Sequence, residues 1–214
     1  MSNLASLLQM IQMTIQSSLC YLIDLSVLLF IVWLLFRVTH GYVGVLGIIP
    51  RHVLGLPGIF FSPFIHANFN HLFFNLIPLL ILSVMLMFYG FAFYWQITWI
   101  LIIVSGALIW LFGRPGIHVG ASALITAYWG FLVIDAFFHT NSILNIAIGF
   151  ICVYYFFGIF LGIFPTKDRV SWEGHLMGLI AGVGVYVLAY FSPWVHQLFV
   201  EPPYWIRVPM NIHC

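Results

Sequence analysis

The chain has 214 residues, 64% of them hydrophobic and 5% charged, with a formal net charge of +1. A soluble domain carries roughly a quarter charged residues, and folded surface grows too slowly with mass for a water-soluble fold of this size to hide so much apolar area. The composition excludes a soluble domain, gives no electrostatic footprint for nucleic acid, and defines an integral membrane protein surrounded by lipid.

The N-terminus lacks the basic flank of a cleavable signal peptide and the arginines of a transit peptide, so the first span is expected to stay in the mature protein. Residues 1–19 carry Leu4, Leu7, Leu8, Ile11 and Ile15 opposite Gln9, Gln12 and Gln16. That is a helical stripe. It either lies in the interface or extends the first span. A hydrocarbon core needs about 17 to 25 apolar helical residues. On that rule six spans are expected, over about 21–38, 71–89, 93–112, 121–138, 143–163 and 174–191. The joints are short, and the last carries Pro165, Lys167, Asp168 and Arg169. Residues 192–214 read as a tail with four prolines.

The stretch 39–70 is the exception. It is apolar yet broken by Gly41, Gly44, Gly47, Pro50, Gly55, Pro57, Gly58 and Pro63. Non-helical backbone is tolerated at membrane depth only where protein or water satisfies it. The stretch reads as a compact loop half-sunk in one leaflet, with a badly broken extra span as the alternative.

Alternating direction puts the N-terminal ends of spans two, four and six on one membrane face. His66, His71 and Asn75 open span two, Ser122 opens span four and His175 opens span six. Topology alone gathers these polar groups at one level. Ser122 sits among small residues at a helix start, where Gly120 admits close backbone and freed N–H groups can hold an oxyanion. The alternative is a small-residue packing contact. An ionisable residue in a span is a functional hypothesis by default. His175 lies at the mouth of a face bared by Gly174, Gly178 and Gly182, or else is satisfied by the nearby loop. A serine hydroxyl needs a base to become a nucleophile, and a neutral histidine can be that base.

Glu173 is assigned to favouring the helix N-terminus, so a dyad is expected rather than a triad. His71 and Asn75, four apart on one helix face, can donate N–H groups to an oxyanion, and His66 can brace that corner. Each could equally be a local cap. The histidine spacing does not match the HExxH zinc pattern, and neither metal nor cofactor is expected. Asp135 and His139 are four apart and about 20 Å along the helix from Ser122, so they are expected to form a local ion pair. His118 has no assigned role. Cys20, Cys152 and Cys214 are too few for a disulfide framework or a zinc site; the first two read as buried apolar residues.

Together these residues resemble the rhomboid family of intramembrane serine proteases. The matching elements are His66-x4-His71-x3-Asn75, Gly120-x-Ser122 and Gly174-His175-x2-Gly178-x3-Gly182, in the family's order and at its spans. The resemblance covers about residues 20–191. It implies an all-α, six-transmembrane-helix bundle of the bacterial form with a partly membrane-embedded first loop. Ser122 would be the nucleophile and His175 the base. His71, Asn75 and the Ser122 backbone N–H would form the oxyanion hole, supported by His66, Gly120, Gly178 and Gly182. Transmembrane protein substrates would be cut in or near their spans.

The resemblance also implies an N-terminus inside and a site near the outer face of a bacterial inner membrane. Charge points the other way, because that orientation leaves Arg37, Arg51, Arg114, Lys167 and Arg169 outside and only Arg207 inside. Three features depart from the family pattern. A common Trp-Arg pair in the loop is replaced by Leu56-Pro57-Gly58-Ile59, and the usual Gly and Tyr after the serine are Ala123 and Thr126. The alternative function is a non-catalytic protein of the same architecture that binds spans as a chaperone or trafficking factor.

Overall fold

The computed structural model describes residues 4–139, 143–161 and 172–192. The proline-rich tail beyond 192 and the charged joint with Lys167, Asp168 and Arg169 lie outside them. The described residues build six long helices: α1 (Leu4–Val38), α2 (Phe69–Met87), α3 (Phe91–Phe112), α4 (Ser122–Phe138), α5 (Ile143–Leu161) and α6 (Trp172–Phe191). Four segments are long and apolar enough to cross a membrane: Ile11–Val38, Phe69–Met87, Phe91–Phe112 and Trp172–Phe191. Ser122–Phe138 and Ile143–Tyr154 are shorter apolar stretches. The chain is an all-helical, multi-pass integral membrane protein.

The N-terminal stripe does not stop where the apolar run begins. α1 is continuous, with no break between residues 19 and 20. It packs on α2 and leaves Ile23, Leu28, Phe30 and Leu34 exposed. Tyr21 anchors it to α3. Its hydroxyl lies 2.6 Å from that of Tyr94, and its ring meets Phe91 and Trp95 edge-on.

α4 is the central helix. It has only 17 residues, yet 11 of them are buried, because α2, α3, α5 and α6 all pack against it. Its most extensive partner is α6. Gly178 of α6 faces the backbone of Ala123, and Gly182 faces that of Ala127. Both contacts advance by four residues, so the two helices run in the same direction and in register.

Residues 39–68 form neither a span nor a continuous helix. They fold as four short turns, Tyr42–Leu46, Val53–Gly55, Gly58–Phe61 and Ser62–Phe64. Hydrogen bonds to the end of α3 hold them. The Arg51 N–H donates to Trp110 O at 2.9 Å, and its guanidinium donates to Leu111 O and Gly113 O at 3.0 and 2.9 Å. The Trp110 indole returns a bond to His52 O at 3.0 Å.

At the far end of α4, Asp135 and His139 pair at 2.9 Å, as their spacing suggests. The pair belongs to a larger network. The Tyr89 hydroxyl donates to Asp135 at 2.6 Å and the Asn145 amide at 3.0 Å, while Tyr186 meets His139 at 3.2 Å. Cys152 is buried and free, as expected. Cys20 is half-buried, less enclosed than the apolar core residue expected.

Candidate active site

The α4 N-terminus is reached through a loop, residues 113–121, that the 39–68 segment holds by its backbone. Ile48 and His118 exchange two N–H···O=C bonds of 2.9 Å in an antiparallel bridge. Two residues on, Gly120 N–H donates to Ser62 O at 2.9 Å. Ala121 N–H points at Nε2 of His66, 3.4 Å away. His66 is fully buried. Burial, and then neighbouring His71, push its pKa down to about 4, so it is neutral and its Nε2 is free to accept. His66 therefore packs beneath the residue just before Ser122.

Gly120 carries a conformation and a contact that no other residue suits. Its φ is +114, and a Cβ would lie 2.5 Å from His71 Nε2. The His71 ring therefore rests against the Gly120 backbone, with the His66 ring edge-on at a 5.0 Å centroid distance. Asn68 caps α2 by accepting the His71 N–H at 2.8 Å. One turn into the helix, buried Asn75 donates one of its two amide hydrogens to His71 O at 2.7 Å, which leaves one for another acceptor.

Ser122 is the first residue of α4 and is half-buried. No side chain caps this helix, whose cap residue is Ala121. Helix geometry leaves the N–H groups of Ser122, Ala123 and Leu124 without intrahelical acceptors, on the positive end of the helix dipole. These three residues line a cavity of about 30 Å³ with Gly120, Ser62 and Gly174. Such a volume has room for a water molecule or two. An uncapped helix start beside a small cavity of that size suits a developing oxyanion.

His175 enters from α6. The register set by Gly178 and Ala123 puts it three residues nearer the mouth than Gly178, while Ser122 lies one nearer than Ala123. At 1.5 Å per residue the two Cα atoms differ in height by about 3 Å. Gly174, next to His175, lines the same cavity as Ser122, and His71 and His175 are near enough to interact electrostatically. The N-terminal ends of α4 and α6 lie side by side, and His71 of α2 rests on the Gly120 backbone just ahead of Ser122, while Gly178 and Gly182 lie deeper along α6.

Sequence reasoning passed over the contributions of Ser62 and Arg114 and had no role for His118. Ser62 contributes a backbone carbonyl, which no residue type betrays. His118 lines the cavity and sets its Nε2 2.9 Å from Arg114 O, closing the 113–121 loop on itself. Arg114 itself reaches across to Glu173 of α6. Thr126, where many relatives of the resembled family have tyrosine, turns back to its own helix and donates to Ser122 O at 2.8 Å.

The Rhomboid domain model matches residues 54–192. Uncharacterized proteins of Mycobacterium bovis and Mycobacterium tuberculosis are each 36% identical over 165 residues, which cover 73% of this chain and 68% of theirs. An uncharacterized protein of Mycobacterium leprae is 36% identical over 135 residues, 59% of this chain and 53% of its own.

Proposed function

Because the chain belongs to the rhomboid family, we propose that it is an intramembrane serine protease that hydrolyses peptide bonds in or near the spans of other membrane proteins. The observation that supports this reading is the parallel register of α4 and α6, in which Ser122 and His175 differ in height by about 3 Å, with Ser122 and Gly174 lining a water-sized cavity.

The Ser122 hydroxyl attacks the scissile carbonyl carbon and its proton passes to neutral His175. The oxyanion is held by the Ser122 backbone N–H, the His71 ring and the remaining Asn75 N–H. His175 then protonates the leaving amine, and an ester to Ser122 remains. Water from the cavity gives a proton to His175, attacks that ester and regenerates the serine. His66, Gly120, Gly178 and Gly182 hold these groups without touching the substrate.

In this reading all six helices cross the bilayer, and α4 does so shielded by its neighbours. The 39–68 segment dips into one leaflet, which suits its exposed Val53, Leu54, Phe60 and Phe61. The site faces the outer side of a bacterial inner membrane, with the N-terminus inside.

The test uses the full chain in detergent with a labelled single-span substrate, beside Ser122→Ala and His175→Ala. The wild type yields product, and each variant loses about 1,000-fold or more. Equal product from all three removes the protease and leaves a protein that binds spans without cutting them.

A further inference from the structure

Glu173 lies in the first turn of α6, two residues before His175, and its side chain is only 6% exposed. A buried carboxylate is costly unless a cation meets it, and a helix N-terminus offsets only part of that cost. The cation is Arg114. It comes from the loop between α3 and α4, eight residues before Ser122. Its Nε pairs with one carboxylate oxygen, and Nη2 donates to the other at 3.1 Å. The guanidinium also sits over the Trp172 ring, 5.8 Å from its centroid, within cation–π range. This is the two-pronged geometry that arginine makes and lysine does not.

Arg114 is tied down on its own side as well. Its carbonyl meets the His118 ring, and His118 is bridged to Ile48. The ion pair therefore does not join two loose ends. It links the mouth of α6 to a loop already fastened to residues 39–68.

The glycine contacts at Gly178 and Gly182 hold α6 against α4 further into the membrane. A helix fixed only there can still pivot at its outer end, where His175 lies. A second fixed point above His175 removes that freedom. We propose that Arg114 and Glu173 are a positioning pair that fixes the mouth of α6 against the loop leading into Ser122 and so sets the approach of His175 to Ser122. This inference rests on the serine protease reading above.

The test measures how fast a fluorophosphonate probe labels Ser122 in the full-length protein. It also measures backbone hydrogen exchange over residues 113–121, which involves no chemistry at the serine. Arg114→Gln alone leaves Glu173 buried and uncompensated and could unfold the mouth. The deciding variant is therefore Arg114→Gln/Glu173→Gln, which removes both charges together. It should fold, label about 10- to 100-fold more slowly at saturating probe, and exchange faster over 113–121. Its half-saturating probe concentration should not change. Arg114→Lys, which keeps charge but loses the fork, should fall between it and the wild type.

Labelling of the double variant within about twofold of wild type overturns the proposal. If the wild type is not labelled at all, the protease reading falls. Exchange then decides the clamp by itself: faster exchange in the double variant keeps it, and unchanged exchange removes it too.

Discussion

Replacing Gly178 with alanine adds one methyl group at a point of backbone contact between α6 and α4. A Cβ there overlaps the carbonyl oxygen of Ala123 and lies 2.9 Å from its carbonyl carbon and 3.1 Å from its Cα. Carbon atoms rest comfortably at about 3.5–4.0 Å, so the helices must part by roughly half an ångström or more. Both obstacles are backbone in helices, so no side chain can swing aside. Overpacking of this kind costs about 1–3 kcal/mol. The displacement also reaches His175, less than one turn nearer the mouth. A misplacement of about 1 Å can cost 100-fold in rate, so a loss of about 10- to 100-fold is expected.

The assay pairs unfolding followed by tryptophan fluorescence with substrate cleavage per folded molecule. Gly184→Ala is the control, since beyond its own stretch of helix backbone nothing lies within 4 Å of a Cβ at that position. It should match the wild type in both measurements. If Gly178→Ala is as stable and as active as Gly184→Ala, the close packing of α6 on α4 does not set the site.

Three further outcomes are expected. Gly120→Ala forces a side chain into a φ of +114 and against the His71 ring; it should cost about 1–3 kcal/mol and abolish substrate cleavage, both read on the purified variant. Asp135→Asn breaks the buried network with Tyr89, His139 and Asn145 and should lower stability by about 1–3 kcal/mol. It should leave cleavage per folded molecule unchanged, because Asp135 is about 20 Å along α4 from Ser122. His66 has a folded pKa near 4 against an ordinary value of 6.5. The unfolded chain therefore binds the extra proton first, and stability falls as pH drops from 6.5 toward 4, by up to about 3 kcal/mol. Unfolding measured across that range should show the slope in the wild type and lose it in His66→Gln.

Much of this arrangement is legible before any coordinates, for a physical reason. Span length and direction follow from hydrophobicity, and direction alone carries Ser122, His71 and His175 to one end of the bundle. The glycine spacing of α6 likewise announces a bare face, and Ala123 and Ala127 are what it meets. The loop is less legible because backbone groups hold it. Ser62 O, Ile48 N–H and the His118 carbonyl could belong to almost any residue, so nothing in their side chains marks the contacts. Glu173 shows a subtler limit. Its place at a helix start is visible in the chain, but Arg114 is 59 positions away and joins it only after α3, α4 and α6 have packed. The continuity of α1 is a further case. Glutamines at 9, 12 and 16 weaken the apolar run but do not break a helix, so composition marks a boundary where the backbone has none.

Mass spectrometry of the protein after reaction with a fluorophosphonate probe tests the dyad most directly. The expected result is one adduct on Ser122, absent from Ser122→Ala and from folded His175→Ala. An adduct on another serine, or undiminished labelling of Ser122 in His175→Ala, would contradict a nucleophile activated by that histidine.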